Sequence, residues 1–231
     1  MKKENKDLLP ALILLAAFAL WTILIQIVDV QPAGQNGTAI GFASFNLWFH
    51  RMTGVHMTLY MITDWLGLVP ILICLCFGGL GLVQWVRRRS LRRVDADLIL
   101  LGLYYAAVIF CYLFFEMVPI NYRPVLIGGV LEASYPSSTT LLVLSVMPTL
   151  KYQMDRRSDN SLVGKGTTGF VLLFSVFMVL GRLLSGVHWA TDIIGSILLS
   201  AGLFMLYRFA VGLTERHREE SLWSSAKSCR N

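Results

Sequence analysis

Leu98–Phe115, reading LILLGLYYAAVIFCYLFF, decides the fold: eighteen residues without a charge, bounded by Asp97 and Glu116. A helix rising about 1.5 Å per residue approaches the roughly 30 Å depth of a bilayer core over such a run. Working outward, similar runs recur, and the expected spans are about 8–29, 66–86, 97–116, 138–154, 167–184 and 190–211, each bounded by charged or turn-forming residues. Composition agrees, because 55% hydrophobic against 15% charged residues leaves no soluble domain of appreciable size between the spans. The expected fold is all-α, a six-helix transmembrane bundle forming one integral membrane domain over 1–231.

Six crossings return the chain to its starting side, and basic residues test the count. Lys2, Lys3 and Lys6, the cluster Arg87, Arg88, Arg89, Arg92 and Arg93, then Lys151, Arg156, Arg157 and Lys165, and finally the residues from Arg208 to Arg230 place 17 of the 20 on one side. Both termini are therefore expected in the cytoplasm. The net charge of +6 reflects these clusters flanking apolar runs; it forms no basic stripe with stacking aromatics, so nucleic acid is excluded as a partner. The first run lacks an A-x-A cleavage pattern and reads as a retained anchor. Cys74, Cys76 and Cys111 lie inside apolar runs and Cys229 in the tail, which argues against a disulfide framework.

Residues 31–65 open with a Gly-rich turn and continue through Phe42, Phe45, Trp48, Phe49, Met52, Tyr60 and Trp65 with polar residues between them. An interfacial amphipathic helix over about 43–64, lying on the outer leaflet, is expected. His50 and His56 have no acidic or thiol partner at ligand spacing and read as surface histidines, so no metal is assigned. The tail, 214–231, is polar and mixed in charge.

Three segments carry polar groups at or beyond the outer membrane boundary: Asn121-Tyr122-Arg123-Pro124, Tyr135 to Thr140, and Gly181-Arg182 through His188 to Asp192. Pro136 followed by Ser137, Ser138 and Thr139 signals a helix start, whose unpaired N–H groups bind anions. Arg123 and Arg182 supply fixed charge and forked donors that fit phosphate oxygens. His188 and Asp192 are four residues apart, so on a helix they share a face and the carboxylate can hold the imidazole in one tautomer. Ser185-Gly186 offers the bend that brings Arg182 and His188 together.

With these residues in place the sequence resembles the type-2 phosphatidic acid phosphatase family, whose signatures are K-x6-R-P, P-S-G-H and S-R-x5-H-x3-D. Arg123-Pro124 ends the first, Pro136-Ser137 opens the second, and Gly181-Arg182, His188 and Asp192 reproduce the third with Gly for Ser. The similarity covers about 65–213. It implies that His188 attacks phosphorus to give a phosphohistidine, that Asp192 orients it, and that Arg123, Ser137 and Arg182 bind the phosphate with Ser138 and Thr139 at the helix start. Glu116 stands in place of the family's Lys, Thr139 in place of its proton-donating His, and Ser138 in place of Gly. Glu116 and Glu132 are the candidate substitute acids, with Glu116 also a candidate partner for Arg123.

The expected function is an integral membrane phosphatase for a lipid phosphate or prenyl diphosphate such as undecaprenyl diphosphate, presented at the outer face. No cofactor is expected, because two arginines and a helix end stabilise the charge. The alternative is a catalytically impaired lipid-phosphate-binding protein or a lipid phosphotransferase. A transporter would need polar groups at mid-membrane depth. Compact loops without an organelle signal suggest a bacterial cytoplasmic membrane.

Overall fold

A computed structural model describes residues 6–228; Lys2, Lys3, Cys229 and Arg230 lie outside the described residues. The helices are α1 (Leu8–Ile27), α2 (Ala43–Thr53), α3 (Met57–Leu66), α4 (Leu68–Arg88), α5 (Ala96–Met117), α6 (Ser138–Arg157), α7 (Ser161–Leu184) and α8 (Ala190–Ser228). Among the described residues, five segments are long and apolar enough to cross a membrane: Leu8–Ile27, Met57–Arg88, Ala96–Met117, Ser161–Leu184 and Ala190–His217. Their large apolar side chains face outward, among them Leu12, Ile13, Leu72, Leu75, Phe110 and Leu173. An outside more apolar than the interior suits a lipid solvent and defines an integral membrane protein.

The remaining expected span, 138–154 on α6, departs from this pattern. It packs against α4, α5, α7 and α8 at the centre of the bundle. Thr140, Ser145, Thr149 and Gln153 on it are fully enclosed. Bundle partners meet most of its polar groups: the Tyr104 hydroxyl donates to the Ser145 carbonyl at 3.0 Å, Tyr105 meets the Thr149 hydroxyl at 2.7 Å, and Gln153 donates to Tyr207 at 2.6 Å, while the buried Ser145 hydroxyl makes no hydrogen bond. Internal pairing lets a helix this polar occupy the core, since each unpaired group there would cost about 1–3 kcal/mol.

The single interfacial helix expected over 43–64 is instead two helices, broken at Gly54, where φ is 72°. On α2, Phe45, Trp48 and Met52 are exposed, while Ala43 and Leu47 pack against Ile40 and Trp189. α3 behaves differently. It packs on α7 with Thr63 fully buried and runs on into α4 through Gly67.

Glycine sets the closest approaches. At Gly181 a Cβ would stand 2.5 Å from Thr63 Cγ2, so α3 lies nearer to α7 than any side chain at 181 permits. At Gly195 a Cβ would overlap the Tyr135 ring, which inserts between α8 and the aromatic pair Phe18 and Phe115. Tyr135 is further fixed by a 2.7 Å hydrogen bond to Thr22 on α1.

Candidate active site

The segments around Arg123, Ser134 and His188 come together at one end of the bundle, beside α3. Arg123 lies in the loop after α5, where its N–H donates to the Glu132 carbonyl at 3.0 Å and Ser134 N–H donates to the Asn121 carbonyl at 2.9 Å. These bonds fold residues 121–134 back on themselves. Arg182 occupies the last turn of α7 and is 1% exposed. Arg182 Nη2 lies 3.4 Å from His188 Nε2. Both guanidiniums stand over one ring, that of Tyr60 on α3, at 4.8 Å for Arg182 and 5.9 Å for Arg123.

Each arginine also meets a carboxylate: Arg123 pairs with Glu132 at 3.1 Å, and Arg182 lies 3.6 Å from Asp64. Several of their donors remain buried without a hydrogen bond, namely Nε and Nη1 of Arg123 and Nε and Nη1 of Arg182. Buried guanidinium donors left over from two neighbouring cations mark a place for an anion with several oxygens.

The imidazole is fixed from behind. His188 Nδ1 donates to the Ser134 carbonyl at 3.1 Å, and a carbonyl can only accept, so the proton resides on Nδ1 and Nε2 carries the lone pair toward Arg182. Burial, together with the Arg182 and Arg123 guanidiniums, holds the His188 imidazole neutral well below its ordinary 6.5. A buried, neutral imidazole with an unprotonated Nε2 beside two cations has the lone pair and the setting that a nucleophile toward an anion needs.

Asp192 stands elsewhere than its spacing suggested. α8 begins at Ala190, so His188 lies in the preceding turn and the two do not share a helical face. Asp192 Oδ2 is 3.8 Å from His188 Nδ1, beyond a hydrogen bond, and instead accepts from Trp189 N–H at 2.9 Å, while Oδ1 accepts from Asn121 at 3.3 Å. The carboxylate caps the start of α8 and braces the His188 turn; the Ser134 carbonyl holds the ring. Trp189 is pinned in the same way by Nε1 donating to the Tyr122 carbonyl at 2.8 Å.

Ser137 is buried; its hydroxyl donates to Thr140 and its N–H to the Asp192 carbonyl at 3.4 Å. Ser138 and Thr139 line an adjoining cavity of about 260 Å³ with Asp64, Gly67, Leu68, Ile71 and side chains of α5, its walls mostly apolar. Glu116 is exposed on α5 and has no ion pair with Arg123, whose partner is Glu132, because the loop fold carries Arg123 back over residue 132. His50 and His56 bind backbone carbonyls, of Gly186 at 3.1 Å and Thr53 at 2.9 Å. Tyr60, Asp64 and Ser134 are the members of the cluster that sequence reasoning missed. Tyr60 and Asp64 sit in a segment whose aromatics read as membrane-interface residues, and Ser134 contributes only its carbonyl.

No family model and no curated protein sequence matches this one. The structure is similar to the crystal structure of a transmembrane PAP2-type phosphatidylglycerolphosphate phosphatase from Bacillus subtilis, at TM-score 0.63 and 17% identity over 89% of this chain and 96% of that one. At that identity the likeness is one of fold, and the fold is that of a PAP2-type membrane protein.

Proposed function

We propose that the protein is an integral membrane phosphatase that hydrolyses a lipid phosphate or prenyl diphosphate through a phosphohistidine on His188. The observation carrying this reading is the meeting of Arg123, Arg182 and an Nε2-unprotonated His188 around buried guanidinium donors that make no hydrogen bond. The shared fold with a phosphatase acting on a lipid phosphate supports it. The phosphoryl oxygens lie on the two guanidiniums and the open N–H groups at the start of α6, where charge developing in the transition state is neutralised. The apolar cavity beside Ser138 and Thr139 receives the first part of the lipid chain. Asp192 acts as a positioning residue, and no cofactor is required for these steps. The charge asymmetry of the loops supports cytoplasmic termini, a six-span topology with α6 as a crossing, and a site at the outer face.

A second reading, a lipid-phosphate binder or phosphotransferase, is favoured by Thr139 and Glu116 standing where the resembled family has its His and Lys. Phosphate release from detergent-solubilised protein offered phosphatidate, sphingosine phosphate and undecaprenyl diphosphate separates the two. Release from at least one lipid is expected, falling by at least about 10³-fold in His188→Ala. Release that survives His188→Ala removes the nucleophile; binding without release from any lipid selects the second reading.

A further inference from the structure

We infer that Asp64 is the proton donor to the leaving group, occupying from α3 the place of the histidine that the resemblance expects at Thr139; the inference rests on the phosphatase reading above. Two departures from the resembled signature combine to produce it. Gly181 stands in place of Ser, and a Cβ there would lie 2.5 Å from Thr63 Cγ2 and 3.6 Å from Leu59 Cδ1. The missing side chain admits α3 to the site. One turn beyond Tyr60, Asp64 then comes within 3.6 Å of Arg182. Thr139 is the second departure, and the α3–α4 corner lies against it: a Cβ on Gly67 would stand 3.7 Å from Thr139 Cγ2.

Asp64 therefore touches both halves of a bound lipid phosphate. It borders the phosphate cradle through Arg182, and it is the one carboxyl lining the apolar cavity with Ser138 and Thr139. The bond that breaks joins phosphorus on the cradle to the oxygen leading into that cavity, so the acid belongs where the two meet. Glu132 is on Arg123 and does not line the cavity, and Glu116 on α5 borders neither the arginines nor the cavity, whereas Asp64, its side chain 57% exposed, borders both.

The steps balance. An incoming phosphate takes over the Arg182 guanidinium, and the step begins with the proton on Asp64. The His188 Nε2 lone pair forms the P–N bond, the P–O bond breaks with its electrons on the leaving oxygen, and the Asp64 proton passes to that oxygen as the alcohol departs. Asp64 then takes a proton from water as the water oxygen attacks phosphorus. The P–N bond breaks, its electrons return to Nε2, phosphate leaves, and Asp64 is again protonated.

The test uses the full chain in detergent with two substrates, phosphatidate, whose alkoxide needs a proton, and 4-nitrophenyl phosphate, whose phenolate does not. Asp64→Asn is expected to lower kcat/KM, which reports the steps up to P–O cleavage, by about 10²–10⁴-fold on phosphatidate and by less than about tenfold on 4-nitrophenyl phosphate. Asp64→Glu should restore part of the phosphatidate rate. Gly181→Ser should show the same leaving-group-dependent loss, relieved by adding Thr63→Ser, which removes Cγ2. Equal losses on both substrates would make Asp64 a positioning residue acting through Arg182, and no loss on either would remove it; each overturns the proposal. His188→Ala runs alongside: loss on both substrates keeps the phosphatase reading whatever Asp64 does, whereas wild-type protein that cleaves neither ends both.

Discussion

His188 shows how much of a residue's chemistry is set by a single partner. The Ser134 carbonyl at 3.1 Å fixes the tautomer, and two guanidiniums with full burial keep the ring neutral. The consequence for stability has a definite sign. Between 6.5 and the lower folded value, the unfolded imidazole binds a proton that the folded one refuses. The stability from neutral His188 is complete above pH 6.5 and is lost as pH falls below it. We expect the melting temperature in detergent to drop on acidification from pH 7 to 5, and His188→Gln to drop less; equal slopes would show that the imidazole is not the group responsible. The spacing of His188 and Asp192 was legible in the sequence, but their division of labour was not. It depends on α8 starting two residues after the histidine, which leaves Asp192 to cap the helix.

At the scale of elements, the corner between α2 and α3 seats the turn between α7 and α8. Gly186 has φ 70°, and a Cβ on it would overlap the Gly54 carbonyl oxygen, while His56 N–H donates to the Ser185 carbonyl at 2.9 Å and His50 reaches the Gly186 carbonyl. The Ser185-Gly186 bend was readable because glycine alone adopts that conformation without strain. Its docking partner was not, since Gly54 and both histidines belong to a segment that looks like a surface helix. Gly186→Ala is expected to cost about 1–3 kcal/mol from backbone strain, with a further cost from the overlap, and to lower turnover by displacing His188. A variant with unchanged melting temperature and turnover would show that the corner adapts. Gly195 plays the same part for the 134–137 segment: Gly195→Ala meets the Tyr135 ring, so the Ser134 carbonyl should move and turnover should fall with little change in α8 itself. Helical content by circular dichroism alongside phosphate release checks both halves of that statement.

For the whole molecule, charge and apolar surface divide the labour. The end opposite the site holds Arg157 to Asp97 at 2.8 Å, Arg88 to Asp95 at 2.9 Å, and the Arg156–Glu215 pair. Asp95 also exchanges hydrogen bonds with Gln84, tying the α4–α5 turn. The proposed topology puts this end in the cytoplasm and the 121–134 loop outside. In a background whose native cysteines are replaced by serine, Gly129→Cys should react with a membrane-impermeant thiol reagent in intact cells and Arg89→Cys should not. The reverse pattern would invert the topology and move the site to the inner leaflet.

The sequence by itself determined the membrane class, five of the apolar helices, and the candidate residues Arg123, Arg182 and His188. Uninterrupted hydrophobicity and short motifs are local properties, written in consecutive residues. Tertiary structure decided that α6 is a core helix most of whose polar groups are paired inside the bundle, that a carbonyl at Ser134 rather than Asp192 holds the imidazole, and that α3 delivers Tyr60 and Asp64 to the arginines. The reason is physical: burial, backbone acceptors and the space left by Gly181 depend on which helices touch, and that is set by packing between segments far apart in the chain.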